Sequence, residues 1–222
     1  MVPLNSRLAT FLLAFLLVHL AAFAEAPRIL RAPVWVYLEP VPGTPVDETH
    51  PPIENLRAVA RFVMGGMVYG WRFSYTPSDR ARGVNEEFSL TPVMEIARDD
   101  GRMTLDGIVP KYPRLSCWAE YVLDESHARW NAYWDSVLFV ASSGRGSGER
   151  RDETDGIRAA YTRALLMSVR EYGRKLEKNK PKEIVGELLL RDEPRLFSDE
   201  GQFVADVKVL VNIKEIVPYT AF

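Results

Sequence analysis

Cysteine is almost absent from this chain: Cys117 is the only one in 222 residues. No intrachain disulfide can therefore form. Once an N-terminal segment carrying His19 is set aside, one cysteine and two histidines remain, too few for a structural zinc site of the Cys/His kind. No Asn-x-Ser/Thr acceptor for N-glycosylation occurs. Neither charge is in excess: 28 Lys and Arg stand against 30 Asp and Glu, a net charge of −2, which offers no electrostatic footprint for nucleic acid. The 14 glycines and 15 prolines follow no repeat, which excludes a collagen-like rod. With 47% hydrophobic and 26% charged residues, the composition excludes a disordered chain too. Catalytic signatures are also missing. Gly144-Arg145-Gly146-Ser147-Gly148 lacks the Gly-Lys-Ser/Thr ending of a phosphate loop and the third glycine of a dinucleotide fingerprint. No Gly-x-Ser-x-Gly elbow supports a serine hydrolase. Asp152-Glu153-Thr154-Asp155-Gly156 lacks the alternate ligand spacing of a calcium loop.

What is present begins with an export signature. Arg7 precedes an apolar run from Leu8 to Ala24, and Ala22-Phe23-Ala24 places small residues before a cut after Ala24. This is the layout of a signal peptide over 1–24. The alternative is an uncleaved inner-membrane anchor, for which the 17 apolar residues lie at the short end of spanning length. Removal of 1–24 takes away one Arg and no acid, so the mature charge moves from −2 to −3, with no transmembrane span left. It also takes away His19, which leaves only His50 and His127. Export without disulfides or glycan sites points to a bacterial periplasm.

Residues 25–52 form a leader with seven prolines, too many for a helix; Val34–Leu38 alone reads as an edge strand or docking segment. The remainder, 53–222, is expected to be one α+β domain: an antiparallel sheet with two helices packed on one face. The first helix carries an apolar stripe of Leu56, Val59, Ala60, Val63, Met64 and Met67, with Gly65, Gly66 and Gly70 near its end. The second, from about Asp155 to Lys178, carries Ile157, Ala160, Tyr161, Ala164, Leu165 and Val169. Alternation marks strands at Trp71–Tyr75, Phe88–Ile96, Met103–Val109, Leu115–Leu123, Glu183–Arg191 and Phe203–Ile213, with Asp99-Asp100-Gly101 as a hairpin signal. Residues 127–141 fit a helix or a strand; Val137-Leu138-Phe139-Val140 favours a strand paired with 115–123. The Gly/Ser stretch 142–156 reads as a polar loop joining the halves 53–141 and 155–217. Residues 53–97 and 155–215 each have the order helix, strand, turn, strand, so two helix-plus-hairpin units are in view.

Candidate chemistry is sparse. Cys117 stands in an apolar strand, where a free thiol behaves as a small hydrophobe. The adjacent acids Glu86/Glu87, Asp99/Asp100, Asp124/Glu125, Asp152/Glu153, Asp192/Glu193 and Asp199/Glu200 mostly flank turns, where solvation accounts for them. No catalytic residue, metal or cofactor site is assigned. The suggestive feature is aromatic: Trp71 and Tyr75 with Arg72 and Arg80, and Trp130, Tyr133 and Trp134 in the expected hairpin, are the candidate ligand or partner contacts. The reading that results is a non-catalytic binding, assembly or structural accessory of the envelope with an envelope protein as partner. A small-ligand or glycan binder and a carboxylate-dependent hydrolase are the alternatives. Oligomeric state is not legible.

Overall fold

A computed structural model describes residues 28–42, 51–136, 138–176 and 179–219. The expected signal peptide, leader residues 25–27 and 43–50, and residues 220–222 lie outside the described residues. The fold is α+β, and every strand pairing among the described residues is antiparallel. Three helices are described: α1 (Pro52–Val68), α2 (Glu125–Trp134) and α3 (Glu153–Leu176). None of the described helices is long and apolar enough to cross a membrane.

The strands divide between two sheets. The first holds β1 (Ile29–Tyr37), β5 (Arg114–Val122) and β4 (Met103–Lys111), in that order. The second runs β3 (Glu87–Pro92), β2 (Trp71–Thr76), β7 (Glu183–Leu190), β9 (Gln202–Val217) and β6 (Val140–Glu149), with β8 (Arg195–Asp199) beside the start of β9. Within the second sheet, α1–β2–β3 and α3–β7–β9 are two like units whose inner strands β2 and β7 pair with each other. β1 is an edge strand, as its proline content requires, with Pro33 opposite Trp118.

α1 and α3 cover one face of the second sheet. Trp71, Phe73, Leu188, Val207 and Val211 point into that layer and are buried. α1 is apolar over a wide arc, which fits its place: it also packs on β1 and β5, so the first sheet covers its other flank. Pro51 and Pro52 open it where a missing N–H costs no helical bond. At its other end Gly66 lies directly under the Trp71 ring, where a Cβ would overlap the indole.

Three expectations are corrected. Residues 127–141 are not a strand paired with 115–123. Asp124 caps α2 by accepting from the Ser126 and His127 amides, and the helix runs to Trp134 before β6 begins at Val140. Asp99-Asp100-Gly101 does not close a hairpin, because β3 and β4 belong to different sheets.

The third correction concerns 142–156, which is not a loop. Val140–Glu149 pairs with β9 over ten residues, and Arg150 onwards leads into α3. The glycines there serve contact. Gly144, Gly146 and Gly148 meet the backbone of α3, and a Cβ on any of them would overlap Ala164, Ala160 or Gly156 main-chain atoms. The helix answers with small residues at every fourth position: Gly156, Ala160, Ala164 and Ser168. Ser142 completes the row by donating to the Ser168 carbonyl at 2.8 Å.

Two alanine substitutions should separate close approach from open space. In urea unfolding, Gly146→Ala is expected to cost about 3 kcal/mol, the upper end of overpacking. Gly65→Ala, whose Cβ meets nothing within 4 Å in the interior of α1, should gain about 0.5–1 kcal/mol. Equal shifts for the two would contradict the helix–strand contact.

Candidate functional site

Two constellations stand out, one closed and one open. The closed one links the first sheet to the beginning of α2. Tyr69 follows α1, Tyr121 lies on β5 and His127 on α2; all three are buried. The Tyr121 hydroxyl donates to Asp100 Oδ2 at 3.0 Å. Having given its one proton there, it accepts from the Tyr69 hydroxyl at 3.1 Å, and Tyr69 in turn accepts from His127 Nε2 at 2.8 Å. His127 Nε2 is thereby the protonated ring nitrogen. Asp124 Oδ1 lies 2.6 Å from His127 Nδ1 without an aligned hydrogen bond, an approach that is an ion pair when the imidazole carries both protons. Arg102 closes the circuit: its Nε and Nη2 donate to Asp100 at 2.9 and 2.8 Å, and its Nη1 donates to Asp124 at 3.2 Å.

Electrostatics follow from this wiring. Arg102 above all, with the Tyr121 hydroxyl assisting, lowers the Asp100 carboxyl to about 2. The Ser126 hydroxyl and the His127 amide hold Asp124 well below the usual carboxylate range. Burial first, then the Tyr69 bond, pushes the Tyr121 phenol up. Both carboxyls are thus held ionised, the reverse of what a general acid requires. Cys117 faces the same core from β5, and burial lifts its thiol to about 11, away from the thiolate a nucleophile needs.

The open constellation is a cleft of about 410 Å³ between α1, α3 and the β2–β3 end of the second sheet. α1 presents Ala58, Arg61, Phe62 and Gly65 to it, at spacings that share one helix face. Trp71 and Leu90 line it from the sheet, Ile96 from the segment after β3, and Arg158 and Thr162 from α3. Burial, then the nearby positive Arg98, Arg158 and Arg57, lowers the Arg61 pKa, with Glu54 opposing. Glu54 already holds Arg57. Among the described residues, Arg61, Arg98 and Arg158 have no carboxylate within ion-pair distance. A larger cleft of about 1230 Å³ beside β1 also has two arginines outside ion pairs among the described residues, Arg191 and Arg195, but its other cations are paired. Its Arg145 holds Asp206, its Lys208 holds Asp192 and its Arg31 holds Glu120.

The residues singled out from the sequence do not come together. Trp71, Arg72 and Tyr75 lie on β2, where Trp71 and Tyr75 are buried toward the helices and Arg72 is exposed on the other face. The Tyr75 hydroxyl donates to Glu86 at 2.8 Å. Arg80 is exposed in a short turn capped by Asp79. Trp130, Tyr133 and Trp134 belong to α2, which packs on the opposite face of the second sheet against Leu189 and Leu210. Trp134 is fully buried, while Tyr133 is 47% exposed and stacks on Trp130. The sheet itself separates Trp71 and Tyr75 from the α2 aromatics, and of the residues singled out only Trp71 lines the open cleft. Arg61 and Arg158 were missed because each looks like an ordinary charged position on an amphipathic helix. Their convergence depends on how α1 and α3 pack.

Comparison with known proteins places the chain among relatives without adding a chemistry. A model of a family of uncharacterised proteins matches residues 20–219. An uncharacterised protein of Treponema pallidum (strain Nichols) is 41% identical over 197 residues, covering 87% of this chain and 83% of that protein. No solved structure matches.

The closed ring predicts an acid limb in stability. A carboxyl depressed in the folded state contributes stability that is present above its unfolded pKa of about 3.9 and is lost as pH falls. For Asp100 that loss runs from about 4 down through about 2, and Asp124 acts in the same direction. Melting temperature followed from neutral to acid pH should fall through this window in the wild type. The fall should be shallower in Asp100→Asn, and an unchanged slope would contradict the assignment.

Proposed function

The chain belongs to this family of uncharacterised proteins, and we propose that it is an exported bacterial envelope protein that binds rather than catalyses. The observation that carries the reading is the contrast between the two constellations. Side chains with catalytic potential are tied into structure: His127 and both carboxylates into the ring, Cys117 into the core of β5. The open cleft, in contrast, offers an apolar floor and arginines without ion-pair partners, which suit holding a molecule. Among the described residues Glu95 is its one carboxylate, and no histidine or cysteine lines it. Such a site suits the binding or accessory role read from the sequence. The apolar run ahead of Ala22-Phe23-Ala24 supports export, and the single cysteine supports a periplasmic address without disulfides.

Two measurements test this. Residues 1–24 placed ahead of a reporter that is active only outside the cytoplasm should yield activity, and a silent reporter would count against export. Protein purified from its own envelope, denatured and extracted, should release a small molecule detectable by mass spectrometry. The same extraction from Gly65→Leu, whose side chain fills the cleft, should release none. Nothing released from the wild type, or the same yield from both, would remove the binding role from this cleft.

A further inference from the structure

We infer that the cleft between α1, α3 and the β2–β3 end of the second sheet binds a small amphipathic anion, a carboxylate carried on one short acyl or aryl body. This rests on the reading of that cleft as the binding site and adds the class of its ligand.

Charge fixes one end of the molecule. Arg61 and Arg158 enter the cleft from different helices, and Arg98 lies close enough to act on Arg61. Glu95 also lines the cleft, and one carboxylate against two arginines leaves a positive excess. Elsewhere many arginines are neutralised locally: Arg102 by Asp100 and Asp124, Arg145 by Asp206, Arg82 by Asp79 and Arg174 by Glu171. An incoming anion would relieve the mutual repulsion of the cleft's arginines and satisfy donors that have no acceptor. Arginine's planar fork suits the two oxygens of a carboxylate. Thr162, one helical turn beyond Arg158, adds a hydroxyl to the same wall.

Shape fixes the other end. Below the arginines lie Phe62, Trp71, Leu90 and Ile96, which cannot solvate an inorganic anion but can bury hydrocarbon. Phe62 and Trp71 are in contact, with ring centroids 5.2 Å apart, so this part of the cleft is a continuous aromatic surface. A volume of about 410 Å³ is near the lower end for ligand pockets and suits one short chain or ring, not a two-chain lipid. Gly65 keeps the space open, because a Cβ there would point into it and meet nothing.

Calorimetric titration of the mature chain with octanoate, octylammonium and acetate tests the assignment. Octanoate should saturate a single site. Octylammonium should not bind, and acetate should bind at least about tenfold more weakly, having lost the hydrocarbon burial. Arg61→Gln and Arg158→Gln should each weaken octanoate by about tenfold or more. Gly65→Leu should abolish binding with its melting temperature unchanged or raised. Failure of octanoate to saturate, equal binding of octylammonium, or undiminished binding by the two glutamine variants would overturn the inference. If octanoate fails while a native molecule still co-purifies with the wild type and not with Gly65→Leu, the ligand class is wrong and the binding reading stands. If both fail, the reading of the cleft falls as well.

Discussion

The arrangement depends on one contact made almost without side chains: the backbone of α3 lying against the backbone of β6. Residues two apart on a strand are separated by about 6.7 Å, and residues four apart on a helix by about 6 Å. A row of small residues with period two on one element can therefore match a row with period four on the other. Ser142, Gly144, Gly146 and Gly148 meet Ser168, Ala164, Ala160 and Gly156 in this way. Glycine is a poor strand former, so β6 owes its order to its partners. β9 supplies a ladder over its whole length, and α3 covers the face that has no side chains. The close approach fixes the height of α3 above the sheet, and with it the positions of Tyr161 and Arg158.

From that position the rest of the helix layer follows. Tyr161 meets Phe62 of α1 at 5.8 Å between ring centroids, and Phe62 meets Trp71, so one aromatic chain ties both helices to β2. The arginines of the cleft flank this chain in sequence: Arg61 precedes Phe62 on α1, and Arg158 lies one turn before Tyr161 on α3. Buried aromatics thus position the exposed charges. The polar ring does the comparable work at the other flank of α1. It joins Tyr69, just past the end of that helix, to β5 and to the capped start of α2. The proton chain from His127 Nε2 through Tyr69 and Tyr121 ends on Asp100, and Arg102 compensates both carboxylates, so the buried hydroxyls and the imidazole Nε2 are satisfied.

How much of this was legible depends on whether a local period carried it. α1, α3, β2, β5, β7 and β9 announce themselves through apolar residues at helical or alternating spacing, and the structure places them within a few residues of the expected bounds. β6 has a period too, but it is a period of absent side chains. Glycine at alternate positions between polar residues looks like a linker until a helix is known to lie on it. α2 was misread for the opposite reason. Its aromatic residues fit both periods, and the cap at Asp124, rather than the hydrophobic pattern, decides the matter. The ring and the cleft were out of reach in principle. The ring draws Asp100 and Asp124 from two acid pairs that looked like solvated turns, and the cleft gathers Arg61 and Arg158 from separate helices, with Arg98 acting on Arg61 from a third segment. Neither leaves a spacing to read.

The two constellations also answer differently to a single question: what does the charge there do for the fold? In the ring every charge has a counter-charge and the arrangement ties three elements together, so its presence is explained by stability. In the cleft the arginines repel one another beside an apolar floor, and among the described residues no carboxylate forms an ion pair with them. A glutamine at Arg61 or Arg158 would keep helical propensity and remove the repulsion. A leucine at Gly65 would fill the space and strengthen α1. Places where a sequence breaks local rules without local return are where function is expected to act against stability. Gly65, a glycine inside a helix with open space at its Cβ, is such a place, and it faces the same volume as the two arginines.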